Sequence, residues 1–239
     1  MKVLKPGLLS LAMLLAVATA QAQTAEEVIS KHVTAIGGDA AWKGVTSIRR
    51  EANFSVQGTD VTLVITTLQG KGTRQDISVM GMDGYSILTP SKGWSYLPFQ
   101  GQTVTTPTPD EDVKASQEAL DIAGVLVDYK TKTTAVELAG KETIDGAECF
   151  KLKVTNSRGR VTTYYIDAKT YYIVRSSGIQ RANGQDIEST SNYSHYTKLP
   201  EGIVVPMSFT RAIGGGDVDV TITKVEVNKP VDEAIFKPS

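Results

Sequence analysis

The sequence has 239 residues, 25 Lys+Arg against 26 Asp+Glu for a net charge of −1, and 41% apolar against 21% charged residues. That composition fits a folded globular chain and excludes a disordered or collagen-like one, and the balanced charge gives no electrostatic drive toward nucleic acid. One cysteine, Cys149, excludes an intramolecular disulfide or a multi-cysteine zinc site, and the two histidines leave little room for metal chemistry.

Lys2 and Lys5 precede an apolar run from Gly7 to Ala20, and Ala20-Gln21-Ala22 supplies the small-x-small pattern of a cleavage site. The run is shorter than the roughly 20 residues that span a bilayer, so residues 1–22 read as a secretory signal peptide. Gln23 stands where a bacterial lipoprotein would carry its acylated cysteine. Residues 23–239 are therefore expected to form one exported, soluble, non-acylated domain.

The segment from Thr24 to Ile36 reads as a helix. Thr24 and Glu27 have the spacing of a capping box, Val28, Ile29, Val33 and Ile36 share a face, and Gly37-Gly38 end it. From Thr46 the apolar period becomes two: Ile48, Ala52, Phe54 and Val56 alternate with polar residues, and Arg50 intrudes on the apolar side. Strands are predicted over 61–68, 73–80, 85–89 and 94–99, then a helix from Asp110 to about Ile122. Its acidic start, Asp110-Glu111-Asp112, lacks the spacing of a calcium loop and suits the positive end of a helix. Further strands are predicted over 148–155, 160–166, 171–177, 187–197, 203–211 and 218–227, joined by connections too short for parallel crossovers. The total is about eleven antiparallel strands in a curled sheet.

Two local features fix registers. A hairpin centred on Asn183-Gly184 pairs residues whose numbers sum to 367, which places Arg181 opposite Asp186 and His195 opposite Tyr172. In the last strand Val218, Val220 and Ile222 are even but Val225 and Val227 are odd, so a β-bulge near Thr223-Lys224 is predicted. The glycine triplet 214–216 lies between strands and reads as a hairpin turn.

Catalytic motifs are missing: the sequence has no G-x-S-x-G, H-E-x-x-H, S-x-x-K or P-loop. Cys149 alternates with Lys151 and Lys153, opposite Phe150, Leu152 and Val154, and no base can be nominated for it. His32 reads as a solvated or partly buried helix residue. Alternation along a strand points Ser194 away from His195, which argues against a nucleophile–base pair. No catalytic residue, metal ligand or cofactor is assigned, and the chain is expected not to be an enzyme.

The segment from Leu138 to Arg175, with its G-x-E-x-x-x-G turn, lysine-bearing strand, glycine hairpin and I-D-x-x-T strand end, resembles the outer-membrane lipoprotein-sorting family, the LolA-like proteins. The helix ending at Gly37-Gly38, the hairpin carrying Gly93-Trp94-Ser95-Tyr96, and Val205-Pro206 follow in the same order. The resemblance implies a mainly β fold, a strongly curved antiparallel sheet forming an unclosed barrel with helices over its open side. It implies a periplasmic carrier that shelters lipid acyl chains or a lipoprotein, with membrane-associated donor and acceptor proteins as partners. An exported interaction module on the same scaffold is the alternative. The resemblance also matches Arg74 to an arginine that helps close the family's lid, although Arg74 shares parity with Asp76 and Ser78 and could equally be solvated. The acyl-binding residues expected are Phe54, Leu63, Ile65, Arg74, Trp94, Tyr96, Phe150, Leu152 and Val154. Together they exceed what Val113, Ala119, Leu120 and Ile122 could cover.

Overall fold

The structure is a computed structural model that describes residues 23–182, 185–213 and 216–238. The predicted signal peptide and the centres of the 183–184 and 214–216 turns lie outside the described residues. Thirteen strands form one antiparallel sheet: β1 (Ser47–Val56), β2 (Thr59–Leu68), β3 (Gly72–Val79), β4 (Met82–Leu88), β5 (Gly93–Tyr96), β6 (Thr106–Pro107), β7 (Thr133–Ile144), β8 (Ala147–Asn156), β9 (Val161–Asp167), β10 (Ile173–Ala182), β11 (Gln185–Lys198), β12 (Val204–Ile213) and β13 (Gly216–Val227). Their order is β6-β5-β4-β3-β2-β1-β13-β12-β11-β10-β9-β8-β7. All neighbours are sequential except β1 and β13, which join the two halves; β6 and β7 form free edges, so the barrel is not closed.

Two strands are absent from the sequence prediction. In β7 the apolar alternation of Val136 and Leu138 is interrupted at Ala139-Gly140, where Gly140 takes a φ of 100° and the register to β8 shifts between Leu138 and Lys141. An extra residue reverses side-chain parity, so no single period spans the strand. β6 is only two residues long and contains a proline, which suits it to a sheet edge and leaves no pattern to read.

Of the four α-helices among the described residues, α1 (Ala25–Ala35) starts with the Thr24–Glu27 capping box, both halves of which form. It is followed by α2 (Asp39–Lys43). The predicted 110–122 helix is broken: α3 covers Asp110–Ala115, and a 310 turn, Gln117–Leu120, follows. At Ser116 the backbone leaves helical geometry, with ψ near 2°. Gln117 caps α3 with its side chain, donating to the Val113 and Thr89 carbonyls. A short helix not foreseen, α4 (Tyr129–Lys132), precedes β7.

Both register predictions are answered. Between β10 and β11 the pairs run from Ala182↔Gln185 to Arg175↔Asn192, all summing to 367. The ladder ends there, however, and His195 does not face Tyr172. His195 adopts a φ of 55°, which swings the next residue, Tyr196, onto Tyr172 with ring centroids 4.4 Å apart. The Tyr196 hydroxyl donates to the Ile173 carbonyl at 2.6 Å. The same backbone turn undoes the expected separation of Ser194 and His195: Ser194 Oγ and His195 Nδ1 share a hydrogen bond of 3.0 Å. Alternation holds only for extended backbone. The bulge lies where predicted. Glu51 faces Lys224 and Ala52 faces Ile222, which leaves Thr223 extra, its hydroxyl donating to the Glu51 carbonyl.

Candidate functional site

Ladder registers assign each side chain to a face. From Phe54 on β1, facing residues run outward to Val61 on β2 and Val79 on β3. The adjacent row runs from Ala52 to Leu63, Ile77 and Gly84 in one direction and to Ile222 in the other. On the far side of the sheet Leu138, Leu152, Tyr164, Ser176, Ser191, Arg211 and Val218 form one row. This face is the concave one, since α1 and α3 pack on it.

One half of the concavity is full. Phe150, Leu152 and Val154 of β8 are buried beneath Val28, Ile29 and Val33 of α1 and beneath Leu126 and Val127. The plug is pinned: Trp42 Nε1 donates to the Ile36 carbonyl at 2.9 Å, and the Val204 amide donates to the same carbonyl at 2.8 Å. Gly37 explains why the helix must end there. It has a φ of 116°, and a Cβ on it would lie 2.4 Å from the Gly202 carbonyl. His32, expected to be solvated or partly buried, is 3% exposed within this plug. Its Nδ1 lies 2.8 Å from the Tyr171 carbonyl, to which an Nδ1–H donates. Burial holds its pKa below the ordinary histidine value, against the opposing effect of that hydrogen bond.

The other half has a floor but, among the described residues, no helical cover. Ala52, Val218, Val220 and Ile222 are buried by neighbouring strand residues, Phe54, Val56, Leu63, Met207 and Phe209, and no helix belongs to this cluster. Between this floor and the full half runs a strap made of α3 and its 310 turn. Leu120 and Val113 pack on Leu88 of β4. The Leu120 carbonyl accepts from the Gly70 amide beside β2, while Glu118 accepts from the Asn156 amide at the end of β8. A strap of so few residues can touch both places only because the sheet curls round beneath it. Under it lies a cavity of about 400 Å³ lined by Gln75, Ser86, Leu88, Glu118, Arg160 and Arg211. A smaller one of about 80 Å³ shares Glu118 and Arg160 and reaches Ser176, Ser191 and Tyr193.

Of the nine expected acyl-binding residues, the structure brings Phe54, Leu63 and Ile65 together on the open half and Phe150, Leu152 and Val154 on the filled half. Arg74, Trp94 and Tyr96 lie on the opposite, convex face. Arg74 faces Thr66 and Ile87 across its ladders, and Ile87 faces Trp94. There Tyr85, Ile87 and Phe236 form a separate cluster with Trp94 and Tyr96 packed on it. Arg74 Nε donates to Asp76 at 2.7 Å, Nη1 donates to the Ile235 carbonyl at 3.1 Å, and the guanidinium lies 4.5 Å from the Tyr85 ring centre. Arg74 therefore clamps the C-terminal 310 turn, Glu233–Phe236, to the outside of the sheet, which corrects its expected role at a lid over the concavity. Its parity with Asp76 was the sequence signal for this. A cavity of about 700 Å³ adjoins it, bounded by Asp76, Tyr85, Tyr96, Thr103 and Thr105.

The candidate nucleophile Cys149 also lies on the convex face, as its alternation with Lys151 indicates, but it is fully buried against Ile144 and Tyr165. Burial and the nearby Asp167 push its thiol pKa up, the opposite of an activated thiolate. Arg160, Arg211, Gln75 and Glu118 were not singled out from the sequence. Arg211 was within reach, since it continues the Ile203, Val205, Met207, Phe209 alternation; the others depend on how the strap crosses the sheet.

Compared as a sequence, the chain matches no family model and none of the curated proteins. Solved structures do match. A DUF1329 family protein from Desulfovibrio piger is 13% identical with a TM-score of 0.59, over 90% of this chain and 98% of that one. A LolA superfamily protein from Nitrosomonas europaea is 11% identical with a TM-score of 0.56, over 90% and 99%. An outer-membrane lipoprotein-sorting protein domain from Vibrio parahaemolyticus is 12% identical with a TM-score of 0.52, over 89% and 95%. At such identities the likeness concerns the fold, and over nine-tenths of its length this chain has the LolA-like fold.

Proposed function

We propose that the protein is an exported, periplasmic binding protein that shelters an acyl chain, of a lipid or a lipoprotein, on the open half of its concave face. The observation that carries this reading is the apolar floor of Ala52, Val218, Val220 and Ile222, fringed by Phe54, Leu63, Met207 and Phe209 and, among the described residues, free of helical cover. Burying acyl carbons there contributes about 0.8 kcal/mol per CH₂ before the costs of association. Phe54, Met207 and Phe209 are partly buried side chains that a ligand can displace, and methionine adapts readily to varied apolar shapes. Supporting the exported setting, residues 1–22 have signal-peptide character, and no helix among the described residues is long and apolar enough to cross a membrane. Transfer from a membrane donor to an acceptor belongs to the same reading.

We also read the protein as non-catalytic. Ser194 and His195 do touch, but at an exposed site on β11 outside the cavities described above, and the Cys149 thiol is sealed.

Titrating a fluorescent fatty acid into delipidated protein, with native mass spectrometry of the protein as purified, tests the reading. Saturable one-to-one binding that Phe209→Asp abolishes supports it; no saturable binding overturns it. The interaction-module alternative then takes its place, favoured by the way α1 already fills half of the concavity.

A further inference from the structure

Arg50 differs from three other strand arginines, Arg49, Arg74 and Arg175. Its neighbour Arg49, on the convex face, is held by Glu51 and Glu226. Arg74 has Asp76, and Arg175 has Asn192 and Asp145. Arg50 points into the concavity, in the row that contains Ile65 on β2 and Val225 on β13, between Ile48 and Ala52 on its own strand. Among the described residues no carboxylate lies within ion-pairing distance of it, and no side chain or carbonyl accepts from its guanidinium. Desolvation alone lowers its pKa to about 10, which leaves it fully charged at neutral pH. Arg50 is half-buried, and an unpaired cation held against an apolar floor is costly unless something neutralises it.

Its place adds to this. Arg50 stands where the filled half, which includes Ile48 and Val227, gives way to the open floor of Ala52 and Ile222. Gln75, next along the row beyond Ile65, lines the cavity beneath the strap together with Arg160 and Arg211. Arg160 likewise has no ion-pair partner among the described residues. The one carboxylate lining that cavity, Glu118, already accepts from Asn156. The concavity thus combines an apolar floor with an inward-facing cation at its inner end and further basic side chains at its rim.

We propose that Arg50 anchors the anionic head group, carboxylate or phosphate, of the amphiphile whose acyl chain lies on the open floor. The proposal rests on the acyl-binding reading above and adds the charge of the ligand to it. A planar guanidinium meets either anion through paired N–H donors, and in a desolvated setting such a charge-assisted contact is stronger than in water. The acyl chain then runs from Arg50 toward Phe54 and Val220, along the strand direction.

The test compares three probes with the same chain in delipidated protein by calorimetry: dodecanoate, dodecyl phosphate and uncharged dodecanol. At least one anion is expected to bind about tenfold more tightly than dodecanol, the effect of one charge-assisted hydrogen-bonding group. Arg50→Met is expected to bring that ratio to about one, and Arg50→Lys to keep part of it. A lower titration midpoint for carboxyl-¹³C dodecanoate on the wild type than on Arg50→Met reports the cation directly. Preference for dodecanoate indicates a free fatty acid, and preference for dodecyl phosphate a phospholipid. If dodecanol binds as well as both anions, or if the preference survives Arg50→Met, the anchor is overturned while acyl binding stands. If none of the three binds, the acyl-binding reading falls and the anchor falls with it.

Discussion

The two halves of the concave face start from similar sequence. Phe150-x-Leu152-x-Val154 on β8 and Val218-x-Val220-x-Ile222 on β13 are both alternating apolar runs in long antiparallel strands, and all six side chains are buried. They differ in what covers them. The β8 run is sealed by Leu126, Val127 and α1, whose C-terminal end is pinned by a backbone hydrogen bond and a glycine contact. Among the described residues the β13 run is covered only by side chains from the same sheet, which curls over itself. A helix pinned to the sheet resists displacement, whereas Phe54 or Met207, partly buried single side chains, need only a change of rotamer to move aside. The comparison teaches that apolar pattern locates a core face, while cover decides whether it serves stability or binding.

That contrast can be broken by mutation. Leu152→Ala empties the sealed half and is expected to cost about 2–5 kcal/mol of stability, read in a denaturant melt, because the plug cannot collapse into the void. Gly37→Ala, which strikes the plug's hinge, should cost about 1–3 kcal/mol through a disfavoured φ and the carbonyl at 2.4 Å. Phe54→Ala, on the open half, should cost only about 1 kcal/mol in the same melt yet weaken fatty-acid binding. Equal stability losses at Leu152 and Phe54 would erase the distinction between the halves.

A smaller effect sharpens it. Because His32 is buried within the plug with its pKa depressed, the unfolded chain takes up the proton first as pH falls. Its contribution to stability is therefore full above the unfolded value of about 6.5 and is lost as pH falls through the lower folded pKa. The melting temperature of the wild type should decline across that window, and His32→Gln should flatten the decline. Fatty-acid affinity, set by the other half, should not follow the His32 titration.

Legibility in the sequence follows the range of the interaction involved. The Thr223 bulge was readable because a parity change within one strand has one local remedy. The 367 register was readable because a two-residue turn sets its own ladder, and it failed at His195 because a left-handed residue ends the regular extension on which the extrapolation depends. β7 was missed because Gly140 breaks its period. Placing Trp94 and Tyr96 in the concavity failed for another reason: aromatic residues suit either face of a sheet, and it is the C-terminal segment through Phe236 that makes the convex face apolar locally.

By itself the sequence determined the antiparallel β architecture, the capped first helix, the bulge and the apolar faces of individual strands, since all of these follow from alternation, capping and turn chemistry within a few residues. Only the tertiary structure decided that β1 and β13 join the two halves, that α1 seals one half of the concavity while the other is lined by strands, and that Arg74 and Arg50 point to opposite sides of the sheet. The physical reason is that burial is a property of what lies opposite. A strand's pattern names its apolar side, but the covering segment is supplied from more than 100 residues away in the chain, as α1 is for β8.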